Sequence, residues 1–272
     1  MLCPAQVDTC TQTLLRDSAA AARERHLLLQ IHAAQSVVEF QEIMRREGKT
    51  PIEWLKEIGV LGDNTIIGHA IFLDHHSWLH WPTRTDLAHL AASGTTVAHC
   101  PTVFSRRGIV LEDFASYRAA GVNLGIGTDT FPHNFVEELR TAAILARIAA
   151  GHAHAASAAE IFTAGTIGGA RALGRDDLGR IMPGAKADLV MVDISHPAMQ
   201  PLYDPIRSLI YAAGERAIRH VFVGGRQVVR DGKATAFDYP MRAPGWRWRS
   251  AARSRRLLSL IGPGAAPPRS CR

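Results

Sequence analysis

Four apolar, β-rich runs divide the chain, and each reaches a polar residue: LLLQIH to His32, NTIIGH to His69, TTVAHCP through His99 and VNLGIGTD to Asp129. Those ends are 37, 30 and 30 residues apart. Stretches with helical period follow them: AAQSVVEFQEIMRRE, RTDLAHLAAS after a connecting segment, LEDFASYRAA and FVEELRTAAILARIAAG. Strand and helix alternating at about 30 residues predicts βαβ units, hence a parallel sheet covered by helices. In such folds the reactive residues collect at the carboxyl ends of the strands, where the loops open to ligand. All four polar residues are expected at that end.

The last third has another texture. AEIFTAGTIGGARALG predicts a helix, while DLGRIMPGAKADLVMVD and RHVFVGGRQVVRDGK predict short strands joined at Pro-Gly, Gly-Gly and Asp-Gly turns. The expected organisation is an α/β unit over 1–175, a β-rich segment over 176–240 and a basic, disordered tail over 241–272.

Composition narrows the class. With 272 residues, 47% hydrophobic and 21% charged, the chain can bury a sizeable core. The net charge of +6 suggests nucleic acid until its distribution is examined. Residues 241–272 hold eight arginines and no acid, which leaves 23 basic against 25 acidic residues in the rest, a charge of −2. Only the tail is basic, and it reads as a solvated end. The start lacks a signal peptide and no apolar run is long enough to cross a bilayer, so no membrane partner and a cytoplasmic location are expected. Cys3, Cys10, Cys100 and Cys271 show no C-x-x-C spacing, which suits reduced thiols.

Histidine and aspartate brought from separate strand ends suit one divalent metal, zinc or iron, which lowers the pKa of its water to about 7. His32, His69 and Asp129 form the expected metal-facing set. His99, and His75, His76 and His80 in FLDHHSWLHW, are expected in packing, surface or pocket-lining positions.

QIHAAQ, NTIIGHAIFLD, GTTVAHCP and NLGIGTDT, in this order, resemble the second half of the amidohydrolase superfamily in its cytosine deaminase, guanine deaminase and triazine hydrolase branch. TIGGARALGRDDLGRIMPGAKADLVMVD and IRHVFVGGRQVVRDGK resemble that family's closing segment, and the likeness covers about residues 1–237. It implies about strands five to eight of a (β/α)8 TIM barrel, with a small carboxyl-terminal β-rich segment completing a composite β-sandwich. It also implies hydrolysis of carbon–nitrogen bonds other than peptide bonds, in a small, often heterocyclic, substrate, by metal-activated water. His32 then matches the metal ligand on strand five. His69 matches the strand-six histidine, which orients substrate and in some members touches metal, and Asp129 the strand-eight ligand and proton acceptor.

Two departures stand out. The family carries H-x-x-E where this chain has His32-Ala-Ala-Gln35; Gln35 can hold a substrate but cannot titrate near neutral pH, so it cannot shuttle a proton. The family also opens on an H-x-H pair in strand one, which is missing here: His152-Ala-His154 follows a long helix and has no strand before it. Only 31 residues precede His32, so the sequence reads as amino-terminally truncated. Two function classes remain open. One is a metal-dependent hydrolase acting on a small molecule, either as a homo-oligomer or with a complementing half-barrel chain. The other is a catalytically incomplete fragment or interaction module.

Overall fold

The computed structural model describes residues 1–131 and 133–236; the basic tail expected over 241–272 lies outside the described residues. Its first sheet is parallel, in the order β1 (Leu29–Ala33), β2 (Thr65–His69), β3 (Thr96–His99) and β4 (Leu124–Ile126). The helices α1 (Gln12–Glu24), α2 (Val37–Glu47), α3 (Pro51–Glu57), α4 (Asp86–Ser93), α5 (Pro101–Ser105), α6 (Phe114–Ala119) and α7 (Phe135–Ala150) precede, link and follow these strands. The alternation predicted from the hydrophobic pattern is therefore present, with α1, α3 and α5 added to it.

Local chemistry sets the helix ends. Ser36, Thr50, Asp113 and Asn134 cap α2, α3, α6 and α7 by accepting a backbone N–H three residues on. Gly48, Gly94 and Gly151 close α2, α4 and α7 in the left-handed conformation that glycine enters without a Cβ penalty. Pro51 and Pro101 open α3 and α5, where the missing N–H is not needed.

One face of the parallel sheet packs on the helices. Leu29, Ile31, Ala33, Ile67, Val97 and Leu124 belong to one buried core with Leu55, Leu90 and Phe114. On the opposite face, the register aligns His32, Gly68, Ala98 and Gly125.

The amino-terminal residues add something the hydrophobic pattern did not predict. Leu2 bridges Leu29 and Gln6 bridges His32, both in parallel, so this short segment lies along the outer edge of β1. The sheet therefore extends one segment beyond the four predicted strands.

After α7, the expected single helix forms as α8 (Ala158–Thr163), a π-helical turn Ala164–Gly168 and α9 (Gly169–Ala172). Gly168 lies against the Leu124 carbonyl so closely that a Cβ would come within 2.1 Å of it. The last third contains a second sheet, antiparallel, in the order β5 (Leu189–Val192), β6 (Ile218–Val223), β7 (Arg226–Arg230) and β8 (Lys233–Ala234). Gly224-Gly225 and Asp231-Gly232 make its two tight turns, all four with positive φ.

Candidate active site at the carboxyl ends of the parallel strands

His32 ends the aligned row on β1, and its row neighbours are Gly68, Ala98 and Gly125. A Cβ at Gly68 would lie 3.1 Å from His32 Cδ2, so glycine there gives the imidazole its room. His32 Nδ1 lies 2.7 Å from the Ala5 carbonyl. Nδ1 must then carry the proton and donate, and Nε2 keeps its lone pair.

Strand alternation would send His69 to the face opposite His32. Instead, His69 has φ 82° and Ala70 φ 44°, and the two imidazole rings stack with centroids 5.3 Å apart and planes at 28°. This left-handed backbone at non-glycine residues is strained, and such strain concentrates at functional turns. Phe104 packs edge-on to His69 at 4.5 Å.

Asp129 lies three residues beyond β4, also in the left-handed region with φ 44°. Its Oδ2 is 3.6 Å from His69 Nε2, and its side chain is 44% exposed while that of His69 is 3% exposed. Arg106 holds the following loop, donating to Thr130 Oγ1 and to the Phe131 carbonyl.

Burial lowers the pKa of His69 to about 4; the pull of Asp129 only partly offsets this, and His32 adds to the depression. His69 is therefore neutral at neutral pH. Burial pushes the Cys100 thiol up to about 12, and the negative charge of Asp129 adds to that, so Cys100 is no nucleophile.

His99 has ordinary strand backbone and stands one register step past Ala98, on the helix-packed side, with its ring 6.2 Å from that of Phe114. Burial lowers its pKa to about 3. It belongs to the layer between sheet and helices.

Gln35 does not stand alone. Its Nε2 donates to Gln6 Oε1 at 3.1 Å, and Gln6 Nε2 donates to Asp8 Oδ1 at 3.1 Å. Glu39, buried in α2, accepts from the backbone N–H groups of Ala34 and Gln35. Burial raises the Glu39 carboxyl to about 8, against the lowering effect of those bonds. Ser36-x-x-Glu39 has the sequence form of a capping box, a signal legible in the chain. Its glutamate turns to the strand-end turn instead. Gln6, Asp8 and the Ala5 carbonyl carried no comparable signal, because they reach His32 and Gln35 only through pairing between distant residues.

The remaining histidines lie elsewhere. His76 Nδ1 accepts from the Trp78 N–H and His80 is exposed. His75 and His152 line an open cavity of about 610 Å³ together with Glu112 and Asp113.

The donor chemistry suits a divalent metal. His32 offers Nε2, Asp129 an exposed carboxylate, and His69 Nδ1 is buried without a hydrogen-bond partner. The set is incomplete, because among the described residues no three His, Cys, Asp or Glu side chains are spaced to hold an ion.

A parallel sheet with helices on one face and imidazole and carboxylate at its strand ends defines an α/β protein with its polar cluster where such folds open to ligand. The sequence model of the Amidohydrolase family matches residues 1–228, and the chain belongs to that family. It is 32% identical over 234 residues to a 5'-deoxyadenosine deaminase of Methanopyrus kandleri, covering 85% of this chain and 52% of that one. It is 33% identical over 239 residues to a 5-methylthioadenosine/S-adenosylhomocysteine deaminase of Halobacterium salinarum, covering 86% and 53%. Among solved structures, an adenosine deaminase from Xanthomonas campestris with bound zinc matches at 30% identity with a TM-score of 0.84, over 93% of this chain and 57% of that one. The zinc complex of an atrazine chlorohydrolase from Arthrobacter aurescens matches at 25% identity with a TM-score of 0.80, over 90% and 53%. The chain spans about half the length of the curated relatives it matches. No described helix is long and apolar enough to cross a membrane.

Proposed function

We propose that this chain supplies one half of an amidohydrolase catalytic centre that hydrolyses a carbon–nitrogen bond in a small heterocyclic substrate. In this reading β1–β4 are strands five to eight of a (β/α)8 barrel, and β5–β8 contribute to a sandwich beside it. The observation that carries it is the convergence of His32, His69 and Asp129 from three strand ends, with the two rings stacked and Asp129 3.6 Å from His69.

His32 and Asp129, with His69 beside them, would hold a zinc ion, which when bound supplies Lewis acidity and an activated water. The half-exposed Asp129 carboxylate accepts the proton of the attacking water as its oxygen bonds to the substrate carbon. Asp129 then returns that proton to the departing nitrogen, while neutral His69, with Nε2 toward Asp129, orients the water and the substrate. Gln35 positions the substrate.

The open ligand set favours a second reading, a chain that binds no metal by itself and acts as an interaction module. Zinc titration of the purified chain separates the two. Catalytic descent predicts uptake of about one zinc ion per chain, weakened about tenfold or more in His32→Ala. No uptake, or uptake indifferent to His32→Ala, rejects it in favour of the second reading.

A further inference from the structure

The amide of Gln35 is held in one orientation by groups outside the metal-facing set. Gln6 bridges His32 in parallel register, so its side chain lies on the face that carries His32. From there it links Asp8 to Gln35 through two hydrogen bonds of 3.1 Å. A carboxylate only accepts, so Gln6 must turn its NH2 toward Asp8 and its carbonyl toward Gln35. Gln35 must then turn its own NH2 toward Gln6. The NH2 is thereby turned toward Gln6, and Gln35 Oε1, on the other branch of the amide, accepts no hydrogen bond from the described residues. Glu39 also accepts from the N–H groups of Ala34 and Gln35, fixing the turn at Ala34 with φ 54° that joins His32 to Gln35.

We propose that the Asp8–Gln6–Gln35 relay presents Gln35 beside His32 as a hydrogen-bond acceptor, through the Oε1 that faces away from Gln6. The substrate class is therefore one that brings its own N–H to that position: a cyclic amidine, a guanidine or a lactam-type ring. An amide carbonyl has no proton to give, so a bare ring nitrogen placed there meets a second lone pair and loses its hydrogen bond with water without replacement. This inference rests on the hydrolase reading above and assigns its substrate.

The test compares two probes of nearly equal size by calorimetry on the full chain equilibrated with zinc. Pyrimidin-4-one carries a ring N–H, whereas 4-methoxypyrimidine carries only bare ring nitrogens. The first is expected to bind about tenfold or more tighter, and Asp8→Asn, which lets the relay reverse, is expected to reduce the preference to below about threefold. Equal affinities, binding of neither probe, or a preference that survives Asp8→Asn overturns the proposal. Exchange of the side-chain amide protons, followed by NMR on the ligand-free protein, gives an independent readout. The Gln35 amide is expected to exchange slowly and to lose that protection in Asp8→Asn; unchanged exchange overturns the relay. Zinc uptake on the same samples keeps the two readings apart: uptake that depends on His32 without an N–H preference defeats the relay alone, and absent uptake defeats the hydrolase reading.

Discussion

The two sheets treat their carboxylates in opposite ways. Around the parallel sheet, Glu39, Asp86 and Glu138 are buried, and burial raises the pKa of each. Around the antiparallel sheet, Asp177, Asp193 and Glu215 stay near solvent, and hydrogen bonds to Arg175, Ser195 and Asn134 lower theirs. Apolar residues divide in the same way. Ile67 and Val97 are fully buried, whereas Val190, Met191 and Val223 are each more than half exposed. The parallel sheet is covered on its helix side by its own helices and sacrifices solvation of acids to hold its strand-end turns. The antiparallel sheet leaves apolar surface uncovered by the described residues, as a layer that joins others does.

The largest expected effect follows from the buried acids. Asp86 is raised to about 7 and Glu39 to about 8, both chiefly by burial. Well below their ordinary values, at about pH 2, each is protonated in the folded and unfolded chain alike. As pH rises toward 8 the unfolded chain releases these two protons first, so at these sites the folded state binds more, and their contribution to stability falls with rising pH. The loss is on the order of several kcal/mol across that window. Buried neutral His69 and His99 contribute the opposite slope between about pH 4 and 6.5, so the acids are read by difference: in urea unfolding, the stability of Glu39→Gln with Asp86→Asn relative to wild type is expected to rise from pH 4 to pH 8. A relative stability that stays flat over the same range would show that these carboxyls ionise in the fold.

Next comes the core beneath the strand ends. Ile67→Ala removes a fully buried side chain from β2 and is expected to cost about 3 kcal/mol in urea unfolding. A smaller loss is expected from Tyr117→Phe. Tyr117 is fully buried and its hydroxyl donates to the Ala70 carbonyl at 2.6 Å, in the turn that redirects His69. Losing that bond leaves a buried acceptor unpaired, at about 1 kcal/mol, and is expected to weaken zinc uptake together with stability.

Sequence reading reached the parallel sheet because its signal is local. A buried β-rich run ending on His32 or His69 needs only its own residues to be seen, and so does the helical period behind it. The edge segment near Leu2 and Gln6 escaped because CPAQVD has neither alternation nor length, and pairing with β1 alone orders it. In the structure the two-residue side-chain period of a strand carries His99 to the face away from His32, and the return of His69 breaks that period. That required the left-handed backbone at His69 and Ala70, which no residue type there announces. Gln35 stood out as a departure from the family pattern, yet its partner lies 29 residues away and its orientation is set by Asp8.

The smallest effect tests the other side of the comparison. Val190 pairs with Val221 on the edge strand β5 and is 57% exposed. If the described residues are all that covers it, Val190→Ser removes little buried area and should change stability by less than about 0.5 kcal/mol. The same substitution at a buried strand position such as Val97 would leave a hydroxyl without a partner and a void beside it. Urea unfolding of Val190→Ser at two protein concentrations tests the difference. A loss of about 1.5 kcal/mol or more that grows with protein concentration would mean that a second copy covers β5 in solution. The contrast between the sheets would then be one of assembly, with the apolar face of β5–β8 as its contact.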